Sequence, residues 1–166
     1  MRMKKIISIL FIVAIVTFAQ AQNHILKGKG NLDMIYGSEH KDWFEKNYSE
    51  AILDEITVQS FPQNIECNFK ILIVLGTWCS DSRKQVPHFF KILDYWHIKP
   101  TVELLFVDEA KNSKVKGYKK LRINYVPTFI IYNTKGKEID RIVETPKVSL
   151  EKDLKTILDI TNIHLP

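Results

Sequence analysis

The hydrophobic positions of the chain change period several times, and each change marks an element. Residues 70–76, KILIVLG, form an unbroken branched apolar run closed by glycine, the pattern of a central strand covered on both faces. The next stretch, SDSRKQVPHFFKILDYW, brings Val86, Phe89, Phe90, Leu93 and Trp96 to one side of a helix whose first turn is rich in Ser and Asp. Pro87 lies two turns inside it, where it removes a backbone hydrogen bond and is expected to bend the helix. Then follow TVELLFVD as a strand, SKVKGYKKL as a short basic helix, PTFIIYN as a strand and a tight turn at NTKG. KEIDRIV is a further strand and SLEKDLKTILDI a closing helix. The turn at residues 134–136 is too short for anything but an antiparallel connection, so the predicted plan is a mixed-sheet α/β domain.

Ahead of this block the pattern is weaker. Residues 22–37 carry three glycines and little periodicity, which predicts an irregular arm with room for a short strand. From Ser38, a possible cap, Trp43, Phe44, Tyr48, Ile52 and Ile56 recur at near-helical spacing and predict one amphipathic helix with its aromatics in the core. Asn47-Tyr48-Ser49 fits a glycosylation acceptor, which matters only in a host with that machinery. The expected organisation is 1–21, 22–69 as an extension with one helix packed on the domain, and 70–166 as the domain itself.

Residues 1–21 read as a secretory signal peptide: MRMKK is cationic, IISILFIVAIVTF is an apolar run shorter than the roughly 20 residues of a spanning helix, and AQA supplies a cleavage site. The mature chain then begins at Gln22, is exported to a periplasm or secreted, and keeps no stable membrane insertion. Arg2, Lys4 and Lys5 leave with the leader, taking the formal net charge from +5 to +2. Most of the basicity is therefore targeting. The remaining cations cluster at Lys111, Lys114, Lys116, Lys119, Lys120 and Arg122, where a solvated face is the simple explanation and steering of acidic partners a second one. An exported chain meets little nucleic acid, so no nucleic-acid partner is expected. The histidines His24, His40, His88, His97 and His164 show no zinc-type spacing, and neither a metal nor a cofactor is expected.

Export places the two cysteines, Cys67 and Cys79, where thiols tend to pair. The strand between them, at about 3.3 Å per residue, holds its ends roughly 17 to 20 Å apart, whereas a disulfide needs Cα atoms within about 7 Å. Both thiols are expected unpaired, with Cys67 as a packing residue and Cys79 at the strand-to-helix junction.

Trp78-Cys79 at that junction, Pro87 eight residues later, and Val126-Pro127-Thr128 opening the next-to-last strand, in this order within a βαβαββα pattern, resemble the thioredoxin superfamily over residues 70–166. The resemblance implies an α/β thioredoxin fold, a mixed central sheet flanked by helices, here preceded by an N-terminal helical extension. It also implies a cis bond before Pro127 and a substrate strand docking beside Trp78, Val126, Pro127 and Thr128. The departures are equally plain. Ser82 stands where a two-cysteine thioredoxin has its resolving thiol, Ile73 where many bury a carboxylate, and Glu144 about where a glycine borders the substrate groove.

A helix N-terminus favours an anionic sulfur. Ser82, one turn along, is placed to donate a hydrogen bond to that sulfur, Asp81 opposes the thiolate, and Arg83 with Lys84 offsets Asp81. A thiolate with no internal partner stops at a mixed disulfide until an external resolving thiol releases it. Expected roles are a monothiol oxidoreductase acting on protein or small-molecule thiols and disulfides, a module that captures client cysteines, or a sensor that forms a sulfenic acid. A non-catalytic binding module with an idle Cys79 is the alternative. Thr77 stands two residues before Cys79, not the three of a peroxiredoxin, which argues against a peroxidase.

Overall fold

The structure is a computed structural model that describes residues 24–62, 69–96 and 99–163. The expected signal peptide, Cys67, His97 and His164 lie outside the described residues. In chain order the elements are β1 (Gly28–Gly30), α1 (Leu32–Tyr36), α2 (Lys41–Glu50), α3 (Glu55–Gln59), β2 (Phe69–Leu75), α4 (Ser80–Trp96), β3 (Thr101–Phe106), a 3-10 turn (Tyr118–Leu121), β4 (Thr128–Asn133), β5 (Glu138–Val143) and α5 (Leu150–Ile163).

Among the described residues one five-stranded sheet runs β1-β3-β2-β4-β5. β2 and β3 are parallel, as the α4 crossover between them requires, while β4 pairs antiparallel with both β2 and β5. The segment before β2 supplies more than a packed helix, because β1 pairs antiparallel with β3 and completes the sheet on that side.

Alternation along β2 divides the core. Phe69, Ile71, Ile73 and Leu75 enter a large cluster to which all five α-helices contribute, including Ile35, Phe44, Val58, Phe89 and Leu154. Val74 enters a smaller one with Leu105, Val107, Tyr118, Val126 and Ile130, closed by the connection between β3 and β4. Phe89 stacks on Phe129 with centroids 4.5 Å apart, which seats α4 on the centre of the sheet. Its apolar stripe is as predicted: Val86, Phe89, Leu93 and Trp96 are buried and Phe90 packs against the same cluster. Ile73, in the position of the absent carboxylate, is fully buried.

Two predicted helices differ. The single helix expected from Ser38 to Ile56 is broken: α2 ends at Ala51, whose backbone is extended at φ −61 and ψ 128. A new helix starts at Asp54, whose carboxylate accepts from Thr57 N (3.1 Å) and Thr57 Oγ1 (2.6 Å). A strong cap competes with helix continuation, and this one wins. The break leaves Ile52 and Ile56 88% and 83% exposed rather than in the core. Ser38 is not the cap residue, which is His40; the Ser38 hydroxyl donates to Ile35 O and accepts His40 N–H at 3.3 Å. The second difference is the basic stretch, which forms only the 3-10 turn. Gly117 (φ 86) and Arg122 (φ 53), both left-handed, bound it and prevent a longer helix.

α2 and α3 are secured to the helical layer by specific bonds. Tyr48 donates to Asp94 Oδ2 (2.8 Å), and Lys91 Nζ donates to Ala51 O (2.7 Å) at the C-terminus of α2. Burial and the bond to Asp94 together push the Tyr48 hydroxyl up to about 12. Trp96 Nε1 donates to Pro62 O (3.2 Å), and its ring meets Phe61 edge-on at 5.2 Å.

Candidate functional site

The site forms where β2 ends and α4 begins. Gly76 closes the strand, and a Cβ there would lie 2.5 Å from Trp78 Nε1, so only glycine lets the indole fold back over the loop. Trp78 is pinned there by donating Nε1–H to Val107 O at 3.1 Å. Cys79 sits at the cap position, its N–H bonded to Gly76 O and its carbonyl receiving Arg83 N–H, each at 3.0 Å. Its thiol is unpaired and half-buried.

Across from Cys79 the Val126–Pro127 peptide is cis. The Cys79 thiol donates to Val126 O at 3.2 Å, which joins the two loops that the sequence resemblance set side by side. Of the residues expected to hold a substrate, Val126, Pro127 and Thr128 are buried, and the Thr128 hydroxyl donates to Tyr125 O (2.7 Å). Their side chains are enclosed within the fold. Tyr125, which the sequence did not single out, is 52% exposed at the loop's edge. Pro127 O accepts Glu144 N–H (2.7 Å), and Glu144 takes a left-handed φ of 51, which is the reason a glycine suits that position.

Two of the expected tuning residues have other work. Ser82 is fully buried and its Oγ accepts Gly76 N–H at 3.3 Å, so its bond goes to the loop backbone, while the sulfur's bond goes to Val126. Arg83 donates Nε–H to Thr77 O (2.6 Å), and its guanidinium lies 5.9 Å from the centre of the Trp43 ring. Asp81 is exposed in the first turn of α4, as expected. Thr77 was noted in the sequence only for its distance from Cys79. Its side chain is buried, and Oγ1 accepts Leu26 N–H at 3.4 Å. Leu26 and Trp43 thus tie the N-terminal segment to the loop carrying Cys79. A polar residue between a strand-closing glycine and W-C is the signal that marks Thr77; no local pattern marks its partner 51 residues away.

Below the site, His88 Nε2 and Glu151 Oε1 lie 2.8 Å apart and bridge α4 to α5. Burial alone would raise the Glu151 carboxyl, but bonds from His88, its own backbone N–H and Ser149, with the His88 charge, hold it at about 2. Among the described residues no group of three or more His, Cys, Asp or Glu side chains is placed to hold a metal ion.

The family model described as Thioredoxin matches residues 33–155. Among solved structures the chain is similar to a Pseudomonas aeruginosa protein of unknown function, at 14% identity and a TM-score of 0.48, over 75% of this chain and 82% of that one. It is similar also to a protein titled DsbH Oxidoreductase, at 12% identity and a TM-score of 0.41, over 74% of this chain and 83% of that one. Among curated proteins there is no significant match.

Proposed function

Because the chain belongs to the thioredoxin family, whose general role is thiol–disulfide chemistry, we propose that it is an exported oxidoreductase that works through one nucleophilic cysteine, Cys79. The observation that carries this reading is the Cys79 sulfur at the cap of a 17-residue helix, half-buried and 3.2 Å from the carbonyl beside the cis Val126–Pro127 bond. The thiol gives its proton to solvent, and the sulfur attacks one sulfur of a client disulfide. A new S–S bond forms to Cys79, the client S–S bond breaks, and the second client sulfur leaves as a thiolate.

Ser82 offers no sulfur for internal resolution, so an external thiol attacks the Cys79 sulfur, the client leaves as its second thiol, and the donor stays on Cys79 in a new S–S bond. A second donor thiol then attacks that donor sulfur, Cys79 leaves as a thiolate, and the two donors end as a disulfide whose electrons are in the client. Backbone N–H groups of the first turn of α4 favour the anionic sulfur at each departure. The second reading is a non-catalytic module that holds clients through the same surface. What favours it is the bond that occupies the thiol and the burial of Ser82.

Mild exposure to oxidised glutathione followed by intact-mass and peptide mass spectrometry tests the proposal on the folded chain. One glutathione on Cys79, absent in Cys79→Ser and removed by added thiol, is expected. A Cys79 that stays unmodified in the folded protein while reacting once unfolded would overturn it in favour of the module.

A further inference from the structure

The connection between β3 and β4, residues 107–127, opens with Asp108 and Glu109 and then carries six cations, a net charge of +4. From Ala110 to Asn124 stand six cations and no acidic residue, whereas the rest of residues 22–166 sums to −4. Among the described residues none of these six side chains has an ion-pair partner. A cavity of about 420 Å³ opens here, and Lys111, Lys119 and Arg122 line it together with Asn112, Asn124 and Tyr118.

Its shape is fixed. Lys111 and Arg122 hold left-handed φ values of 56 and 53, disfavoured for residues with a Cβ. Tyr118 O–H donates to Lys111 O (2.5 Å), and Arg141 Nη1 donates to Leu121 O (2.9 Å). The inner wall, Tyr118 and Ile123, belongs to the same apolar cluster as Trp78, Cys79 and Val126. In the chain, exposed Tyr125 follows Asn124, which lines the cavity, and precedes the cis Val126–Pro127 peptide.

We propose that this cavity is a subsite for acidic peptide, taking the carboxylates of a client segment whose sulfur is presented at Cys79. The inference rests on the thiol–disulfide reading above. Unpaired cations supply the attraction, and the amides of Asn112 and Asn124 offer both donors and acceptors to a peptide backbone. The most exposed aliphatic side chains, Ile52, Ile56 and Val148, lie outside this connection, where Tyr125 is the large exposed ring, so the cations are not accompanied by the broad aliphatic surface that favours a membrane.

A fluorescein-labelled peptide of alternating glutamate and serine, without cysteine, tests the cavity separately from the thiol. Anisotropy titration of the full chain at low salt is expected to show binding that fades in 0.5 M salt. Lys119→Glu, and Lys111→Asn with Arg122→Asn, which keep a residue tolerant of left-handed φ, are each expected to weaken it about tenfold. Reversing Lys114, Lys116 and Lys120, which do not line the cavity, should weaken it less. Equal loss from both sets, no loss from the first, or tighter binding to phosphatidylglycerol vesicles than to the peptide overturns the proposal. Peptide binding by a chain whose Cys79 is inert would sink the thiol reading and with it the client sulfur at Cys79, leaving only an acidic-peptide site, and an active Cys79 without peptide binding would sink the cavity alone.

Discussion

At the scale of single residues, the proposed chemistry turns on Ser82. By the resemblance it stands where a two-cysteine relative has its resolving thiol; it is fully buried, and its oxygen accepts Gly76 N–H. Ser82→Cys is therefore expected to convert the site. A glutathione adduct on Cys79 that persists in the parent chain should be expelled by the neighbouring sulfur at least about a hundredfold faster in the variant, because the second step becomes intramolecular. Release of glutathione in the absence of added thiol, followed by mass spectrometry, measures it. An adduct equally persistent in both proteins would show that Ser82 does not stand in the resolving position. Arg83 teaches the complementary lesson: a cation near a thiol in sequence is here committed to Thr77 O and the Trp43 ring, and its role is to hold the loop.

At the scale of elements, the bridge between α4 and α5 links stability to pH. The Glu151 carboxyl lies at about 2 in the folded chain against an ordinary value of 4.5. A depressed carboxylate contributes stability in full above its unfolded value, and that stability is lost as pH falls from 4.5 through 2. His88→Leu removes one of the bonds that hold it there and is expected to cost about 2 kcal/mol near neutrality. Urea unfolding at pH 7 and pH 3 should show the difference between parent and variant shrinking at the lower pH; a difference independent of pH would contradict the assignment. β2 to β5, α4 and α5 were legible in the sequence because their apolar positions follow the pattern of the faces they bury, whereas β1, three residues of GKG, carries no such pattern. The break before Asp54 and the failure of the basic helix were not legible, since a cap and two left-handed residues overruled local propensity there. In the site, the resemblance implied that the Pro127 loop faces the Cys79 loop, but not the bond from the thiol to Val126 O. The inward turn of Ser82 and the capture of Arg83 were not legible either, because their partners are a backbone loop and residues distant in the chain.

At the scale of the whole molecule, the asymmetry is between a thick helical layer and a thin covering. All five α-helices feed one cluster, and the opposite cluster is closed by a connection that also gathers the cations. The face that is structurally lightest is thus the electrostatically strongest, and it borders Cys79 through Trp78 and Val126.

The pairing of Gly28–Gly30 with β3 sets where the chain can be cut. A fragment starting at residue 70 would retain the whole cysteine motif, yet it would leave Leu104 to Phe106 with an open flank and strip Thr77 of its Leu26 N–H. Such a fragment should self-associate through that flank and elute from a sizing column larger than its mass, while one retaining Leu26 onward stays monodisperse. Homologous excision at the motif boundary would therefore remove part of the sheet itself, and a loss of reactivity in such a fragment would report on its architecture before its sulfur.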